Sequence, residues 1–236
     1  MAKQVNIDDK LIIIRRNDFL ARLNQEDYEA LNLVHNYIIA DKNAYIYFDA
    51  QQHNKLYFVK EGYVRIGNID DQGNELVKDI LHPGDVFGQL TLEKNNMHGE
   101  FAQAHKTETI LCAFTIEDFQ TLLQRRTDLA LQFSKKIGQK VRRIENRLLN
   151  LLQRDVRSRL LYFFWSLMPE HEGPVATSHF IENYFTHEDI ARLTGTSRQT
   201  VTTLLNQFAD EGILEVNRDT ISILDIRLLQ LGAKVV

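Results

Sequence analysis

The chain contains a single cysteine, Cys112, so it can form no internal disulfide and cannot supply the four thiolates of an iron-sulfur cluster. The setting ETILCAF predicts a buried strand residue with an inert thiol, since thiol reactivity requires exposure and a cationic neighbourhood. Long apolar runs are missing too. The N-terminal MAKQVNIDDKLIII holds an apolar stretch too short for a signal segment or a membrane span, and RRND follows at once, so a cytoplasmic chain with no membrane partner is expected. The patterns G-x-S-x-G, G-x-x-x-x-G-K-[ST] and H-E-x-x-H and any metal-spaced Cys/His set do not occur, which argues against an enzyme and against a metal centre. Internal repeats and low-complexity segments are also absent. A strong charge of either sign is lacking: the net charge of -4 argues against a protein that coats nucleic acid without regard to sequence, although binding follows local charge. From about residue 139 onward acidic and basic residues nearly balance, which leaves the acidic excess in the first part of the chain.

What is present suits one large domain or two smaller ones, since 236 residues with 44% hydrophobic and 25% charged can bury a sizeable core. A short amphipathic helical pattern, LNQEDYEALNLVHN, comes first. Strands are then expected from near Ala44: AYIYF, KLYFVKEGYVRIGNI, ELVKDIL, DVFGQL and ETILCAFTI lie between turn signals such as DDQGNE and HPGD. Residues 40 to 116 therefore read as an all-β sandwich or small barrel.

A long helical stretch from Ile116 to Leu152, interrupted at most by Gly138, is expected next. Its apolar residues Ile137, Val141, Ile144, Leu148 and Leu151 alternate by four and three. Such a seam can pack on its own barrel or against a second copy. The narrow stripe, with Arg142, Arg143 and Arg147 off it, favours a parallel homodimer. Another helix, DVRSRLLYFFWSLM, starts at Asp155, and the loop PEHEGPVATSHF follows it.

Residues 186 to 208 read as two short helices around a Gly-containing turn. Ile190, Val201 and Leu204 are apolar where crossed helices must pack, Ala191 is small where their backbones approach, and Gly195 supplies the turn. Thr186 can cap the first helix, with Glu188 and Asp189 in its first turn, and Thr196 or Ser197 can cap the second. On the second helix Val201, Leu204, Leu205 and Phe208 form the buried stripe. Ser197, Arg198, Gln199, Thr202, Thr203 and Asn206 are left for solvent or another surface. The following GILEVNRDTISILD reads as a hairpin of the kind that makes a wing. Helix, turn, helix and wing point to double-stranded DNA; an ordinary helical hairpin with a solvated face is the alternative for the 186 to 208 window alone.

Taken together, KLYFVKEGYVRI and HPGDVFGQL with the turns at Gly62, Gly84 and Gly88, a long helix, and THEDIARLTGTSRQTV resemble the superfamily of the cyclic AMP receptor protein and the fumarate-nitrate reduction regulator. The resemblance covers nearly the whole chain. It implies an α+β chain: an effector-sensing β-barrel (jelly roll) of the cyclic-nucleotide-binding type over 1–116 with N-terminal helices, a dimerisation helix over 117–153, and a winged helix-turn-helix over 154–236. It also implies a transcription regulator that binds a palindromic operator as a homodimer, with RNA polymerase as a further partner. Family positions matching Arg198, Gln199 and Thr203 contact bases. Arg198 can hold guanine, Gln199 can bridge adenine, and the Thr203 methyl can meet thymine. The alternative for Gln199 is a capping-box bond back to Thr196. Ser197 and Thr186 are cast as phosphate positioners, with Thr202 beside them.

The sensor departs from the cyclic AMP pattern. Where the family has Gly-Glu-Leu this chain has Gly88-Gln89-Leu90, and the family's Arg and Ser positions fall on Gly99 and Glu100, whose carboxylate would repel a phosphodiester. Two family hydroxyls on the dimer helix match Ile144 and Glu145. A shifted loop could bring Lys94 or Lys106 to a nucleotide. His53, His82 and His98 could offer a haem ligand, although an unpartnered His is more often an exposed turn residue. Cyclic AMP is thus not expected in the usual way, and the effector itself is not legible. A different class of function, a sensor or scaffold module whose winged helix binds protein, is the remaining alternative.

Overall fold

Short apolar runs between turn signals fold, as their spacing predicts, into one antiparallel sheet: β1 (Tyr37–Ala40), β2 (Tyr45–Phe48), β3 (Lys55–Ile69), β4 (Glu75–Leu81), β5 (Val86–Gly88) and β6 (Glu100–Thr115). The computed structural model describes residues 19, 22, 23, 26, 27, 37–48, 54–92, 99–168 and 179–234, in two units divided between residues 141 and 142.

In the first unit the strand order is β1-β6-β3-β4, with β2 added to β6 and β5 to β3. The unbroken runs LYFV and ILCAF on β3 and β6 follow from burial on both faces, because successive strand side chains point to opposite sides. Leu56, Phe58, Cys112 and Phe114 belong to one buried cluster, while Tyr57, Val59, Leu111 and Ala113 belong to another inside the roll. Cys112 is fully buried, and that burial pushes its thiol up to about 11, which keeps it protonated and unreactive at neutral pH.

Three details differ from the sequence reading. Strand structure starts at Tyr37, before Ala44, because Tyr37, Ile38 and Ile39 pair with Cys112, Leu111 and Ile110 of β6. Of the LNQEDYEALNLVHN pattern only Leu23, Glu26 and Asp27 are described, the last two as helix; its other residues lie outside the described ones. The long helical stretch is broken at Arg126 and continuous through Gly138, giving α1 (Ile116–Arg125) and α2 (Thr127–Gln153). The break has a tertiary cause. Arg126 leaves helical geometry at φ -119 and ψ 84, and its guanidinium pairs with Asp27 and Asp128 and donates to the Arg22 carbonyl at 3.1 Å. Its own carbonyl then accepts from Leu129 and Ala130, starting α2. A Cβ at Gly138 would meet nothing within 4 Å, and the helix runs through this position unbroken.

The seam of α2 also divides. Ile137 packs against the cluster that contains Phe119 and Phe133, so it serves the first unit's core. Val141, Ile144, Leu148 and Leu151 remain 48%, 59%, 55% and 38% exposed.

The second unit contains α3 (Val156–Ser166), β7 (His179–Glu182), α4 (His187–Thr194), α5 (Arg198–Asp210), β8 (Leu214–Val216), β9 (Thr220–Ile223) and α6 (Ile226–Gly232). Its sheet has the order β7-β9-β8, and the β8–β9 hairpin closes through Asn217 donating to the Thr220 carbonyl at 2.8 Å. That hairpin is the wing read from GILEVNRDTISILD. No helix of the described residues is long and apolar enough to cross a membrane.

Candidate nucleic-acid interface

Both helices of the 186 to 208 segment are fixed by their caps. Thr186 accepts from the Asp189 amide at 3.1 Å while the Asp189 carboxylate accepts from the Thr186 amide at 2.8 Å, a reciprocal box that satisfies two otherwise orphan donors. Gly195 ends α4 in the left-handed region at φ 65, where a side chain is strained, so glycine suits the turn. Arg147 donates to the Leu193 carbonyl at 3.0 Å and Arg159 to that of Gly195 at 3.3 Å, tying down the end of α4. Arg147 is thus paired.

The cap of α5 is Ser197, whose Oγ accepts from the Thr200 amide at 3.1 Å and meets the Thr200 hydroxyl at 2.8 Å. Gln199 takes no part in this cap. The alternative that tied it back to Thr196 is therefore corrected: a cap at Ser197 puts Thr200, and not Gln199, three residues on.

Along α5, Val201, Leu205 and Phe208 are buried and Leu204 is half-buried, while Ser197, Arg198, Gln199, Thr202, Thr203 and Asn206 are exposed. The hydroxyls separate these residues further. Those of Thr186 and Ser197 are engaged in caps, and that of Thr202 donates to the Arg198 carbonyl at 3.0 Å. Arg198, Gln199, Thr203 and Asn206 are left as the exposed polar row of the helix.

Two neighbours of this row were not read from the sequence. His187 places Nδ1 2.9 Å from Thr202 Oγ1, and its pKa is lowered by partial burial and by the Arg198 charge. Beside α5 a groove of about 550 Å³ is lined by Asp155, Val156 and Arg157 at the start of α3 and by Ser197, Gln199 and Thr203. Asp155 turns its carboxylate to its own helix, accepting from the Ser158 amide at 2.8 Å and from Lys234 at 2.9 Å. These contacts hold it well below the usual carboxylate range. Arg157 lies over the Phe208 ring at 4.9 Å and pairs with Glu211. The N-termini of α3 and α5 both border this groove, together with the Asp155 carboxylate and Arg157.

The sensor positions lie in the first unit, except Ile144, which belongs to the second. Gly88 has φ 88, and a Cβ there would stand 2.5 Å from the Lys55 carbonyl oxygen, so only glycine allows this approach. Gln89 is 2% exposed; its amide donates to the Lys55 carbonyl at 3.0 Å and its side chain to Thr91 at 2.9 Å. Leu90 packs on the core cluster, and the Gly99 carbonyl accepts from Ile69 at 2.7 Å. Glu100 is buried; it shares a face of β6 with Ala102, two residues on, which lies in the cluster inside the roll. One carboxylate oxygen accepts from the Tyr47 hydroxyl at 2.8 Å and the other from Lys78 at 2.7 Å. The neighbouring rings of Tyr57 and Phe87 stack at 5.0 Å, with Tyr47 6.2 Å from Phe87. His82 sits in the turn before β5, with Nδ1 3.0 Å from the Pro83 carbonyl; Lys94, His53 and His98 lie outside the described residues.

Residues 39–126 match the cyclic nucleotide-binding domain family and residues 158–231 the Crp-like helix-turn-helix domain family. The chain is 26% identical over 184 residues to the global nitrogen regulator of Nostoc sp., covering 78% of this chain and 82% of that one. It is also 26% identical over 185 residues to the cyclic AMP receptor protein of Thermus thermophilus, with the same coverage of both chains. Among solved structures, a CooA mutant from Carboxydothermus hydrogenoformans is similar at a TM-score of 0.69 and 28% identity, over 84% of this chain and 87% of that chain. FixK2 from Bradyrhizobium japonicum shares the fold at a TM-score of 0.70 and 20% identity, over 85% of this chain and 98% of that one.

Proposed function

Since the chain belongs to the CRP/FNR family of transcription regulators, and is not an enzyme, we propose that it binds a palindromic operator as a cytoplasmic homodimer and acts there with RNA polymerase. The exposed row Arg198, Gln199 and Thr203 on α5 carries this reading. Arg198 supplies a fork for guanine O6 and N7, Gln199 a donor and acceptor for adenine, and Thr203 a methyl for thymine. The groove beside them is edged by the N-termini of α3 and α5, which favour the phosphates that flank a base-reading helix, and its one carboxylate, Asp155, is paired with Lys234. A parallel pair along Val141, Ile144, Leu148 and Leu151 brings two such helices onto half-sites one turn of DNA apart.

The effector site differs from one that holds a cyclic nucleotide. A phosphodiester needs a nearby cation or several donors, and here the buried Glu100 carboxylate adds negative charge, its cationic partner being the exposed Lys78 of β4. Tyr47 fastens the same carboxylate from β2. Cyclic AMP is therefore expected to leave both thermal stability and DNA affinity unchanged.

Selection from a random-sequence duplex pool, with and without cyclic AMP, tests both statements. The expected product is one two-fold symmetric site, recovered equally in either condition, with affinity that falls steeply with salt. Absence of an enriched site would overturn the DNA reading, and enrichment only with cyclic AMP would overturn the reading of the roll. On the selected site, Gln199→Ala is expected to lose about 1 to 3 kcal/mol of discrimination at one base-pair step per half-site. Uniform weakening on every sequence would remove Gln199 from base reading.

A further inference from the structure

His187 is the first residue of α4, yet its ring reaches α5, where Nδ1 meets Thr202 Oγ1 at 2.9 Å. The Thr202 hydroxyl has one proton, and it goes to the Arg198 carbonyl at 3.0 Å. The tautomer that satisfies both contacts at once has Thr202 Oγ1 accepting from His187, with the hydrogen on Nδ1. In the neutral ring Nε2 is then the unprotonated nitrogen. Three further groups on this ring's own helix carry charge, and all are committed: Glu188 pairs with Arg192 at 2.9 Å, and Asp189 closes the capping box. Arg198, on α5, faces the ring as a cation. The imidazole is thus half-buried, orientationally pinned, and set against the residue with the strongest expected base contact.

We propose that His187 is a proton-linked DNA contact: protonated at Nε2, it donates to a backbone phosphate at the edge of the reading helix while Nδ1 keeps Thr202 and Arg198 in place. This rests on the DNA-reading role of α5. In the free protein partial burial and Arg198 favour the neutral ring, whereas a phosphate brought close by binding favours the imidazolium. The bound pKa therefore exceeds the free one, a proton is taken up on binding, and affinity grows as pH falls through the bound value.

The test is fluorescence anisotropy on the duplex recovered by selection, and on a random duplex of equal length, from about pH 8 to about pH 5.5 at several salt concentrations. Wild type is expected to bind about three- to tenfold more tightly at the acid end. The slope of log K against log salt should steepen by about 0.9, the value for one added phosphate contact. Both changes should appear on both duplexes, since a phosphate contact carries no sequence information. His187→Gln, which can still donate to Thr202, should bind as wild type does at high pH and lose the slope change. Thr202→Val, which frees the ring, should blunt it. A pH-independent slope in wild type, or a slope change that survives in His187→Gln, would overturn the assignment and leave DNA binding standing. If no duplex binds at any pH, the DNA reading itself fails.

Discussion

Ile144→Glu is expected to turn a dimer into a monomer and to weaken operator binding by about two to four orders of magnitude. Ile144 is the most exposed of the four seam residues left free on α2. In a single chain its replacement touches no core, so monomer stability should change by less than about 0.5 kcal/mol. In a parallel two-helix seam, however, each introduced carboxylate would face its symmetry mate across a desolvated interface, where like charges repel strongly. The DNA loss follows from valency, because each half-site then binds alone without the high effective concentration provided by its partner. Sedimentation equilibrium and anisotropy on the selected operator read the two effects. A variant that remains dimeric would remove Ile144 from the interface.

Phe119→Ala should destabilise the first unit by about 3 to 5 kcal/mol. Phe119 is fully buried and its ring lies 5.8 Å from those of Phe19, Phe58 and Phe114 and 5.1 Å from that of Phe133. It joins α1 to both the sheet and α2, so the cavity has walls on three elements and cannot collapse onto one of them. Urea unfolding followed by far-UV circular dichroism should show the sheet signal lost at a lower midpoint. A shift below about 1 kcal/mol would mean that the surrounding rings refill the space.

The parts legible in the sequence are those whose causes are local. The caps at Thr186 and Ser197, the turn at Gly195 and the alternation of buried and exposed residues on α5 depend on neighbours within a turn or two. The strand runs on β3 and β6 were legible as strands, but their division between two cores was not, since apolar residues on both faces carry no alternation. The break at Arg126 depends on Asp27, 99 residues away. Glu100 found Tyr47 53 residues before it and Lys78 22 residues before it. Ile137 obeys the heptad as well as its neighbours do, and only the position of Phe119 and Phe133 takes it out of the free seam. His187 escaped because its partner lies across the helix crossing, 15 residues on.

The strands β3 and β6 are a partition a single residue thick. Tyr57 lines the roll interior and Phe58, the next residue, touches the cluster that holds Leu129, Phe133 and Ile137 of α2; Leu111 and Cys112 repeat the relation on the neighbouring strand. Close-packed interiors transmit displacement instead of absorbing it. A shift of the Tyr57 backbone is therefore expected to move the Phe58 ring, which places the first turns of α2 one residue's thickness from the roll interior.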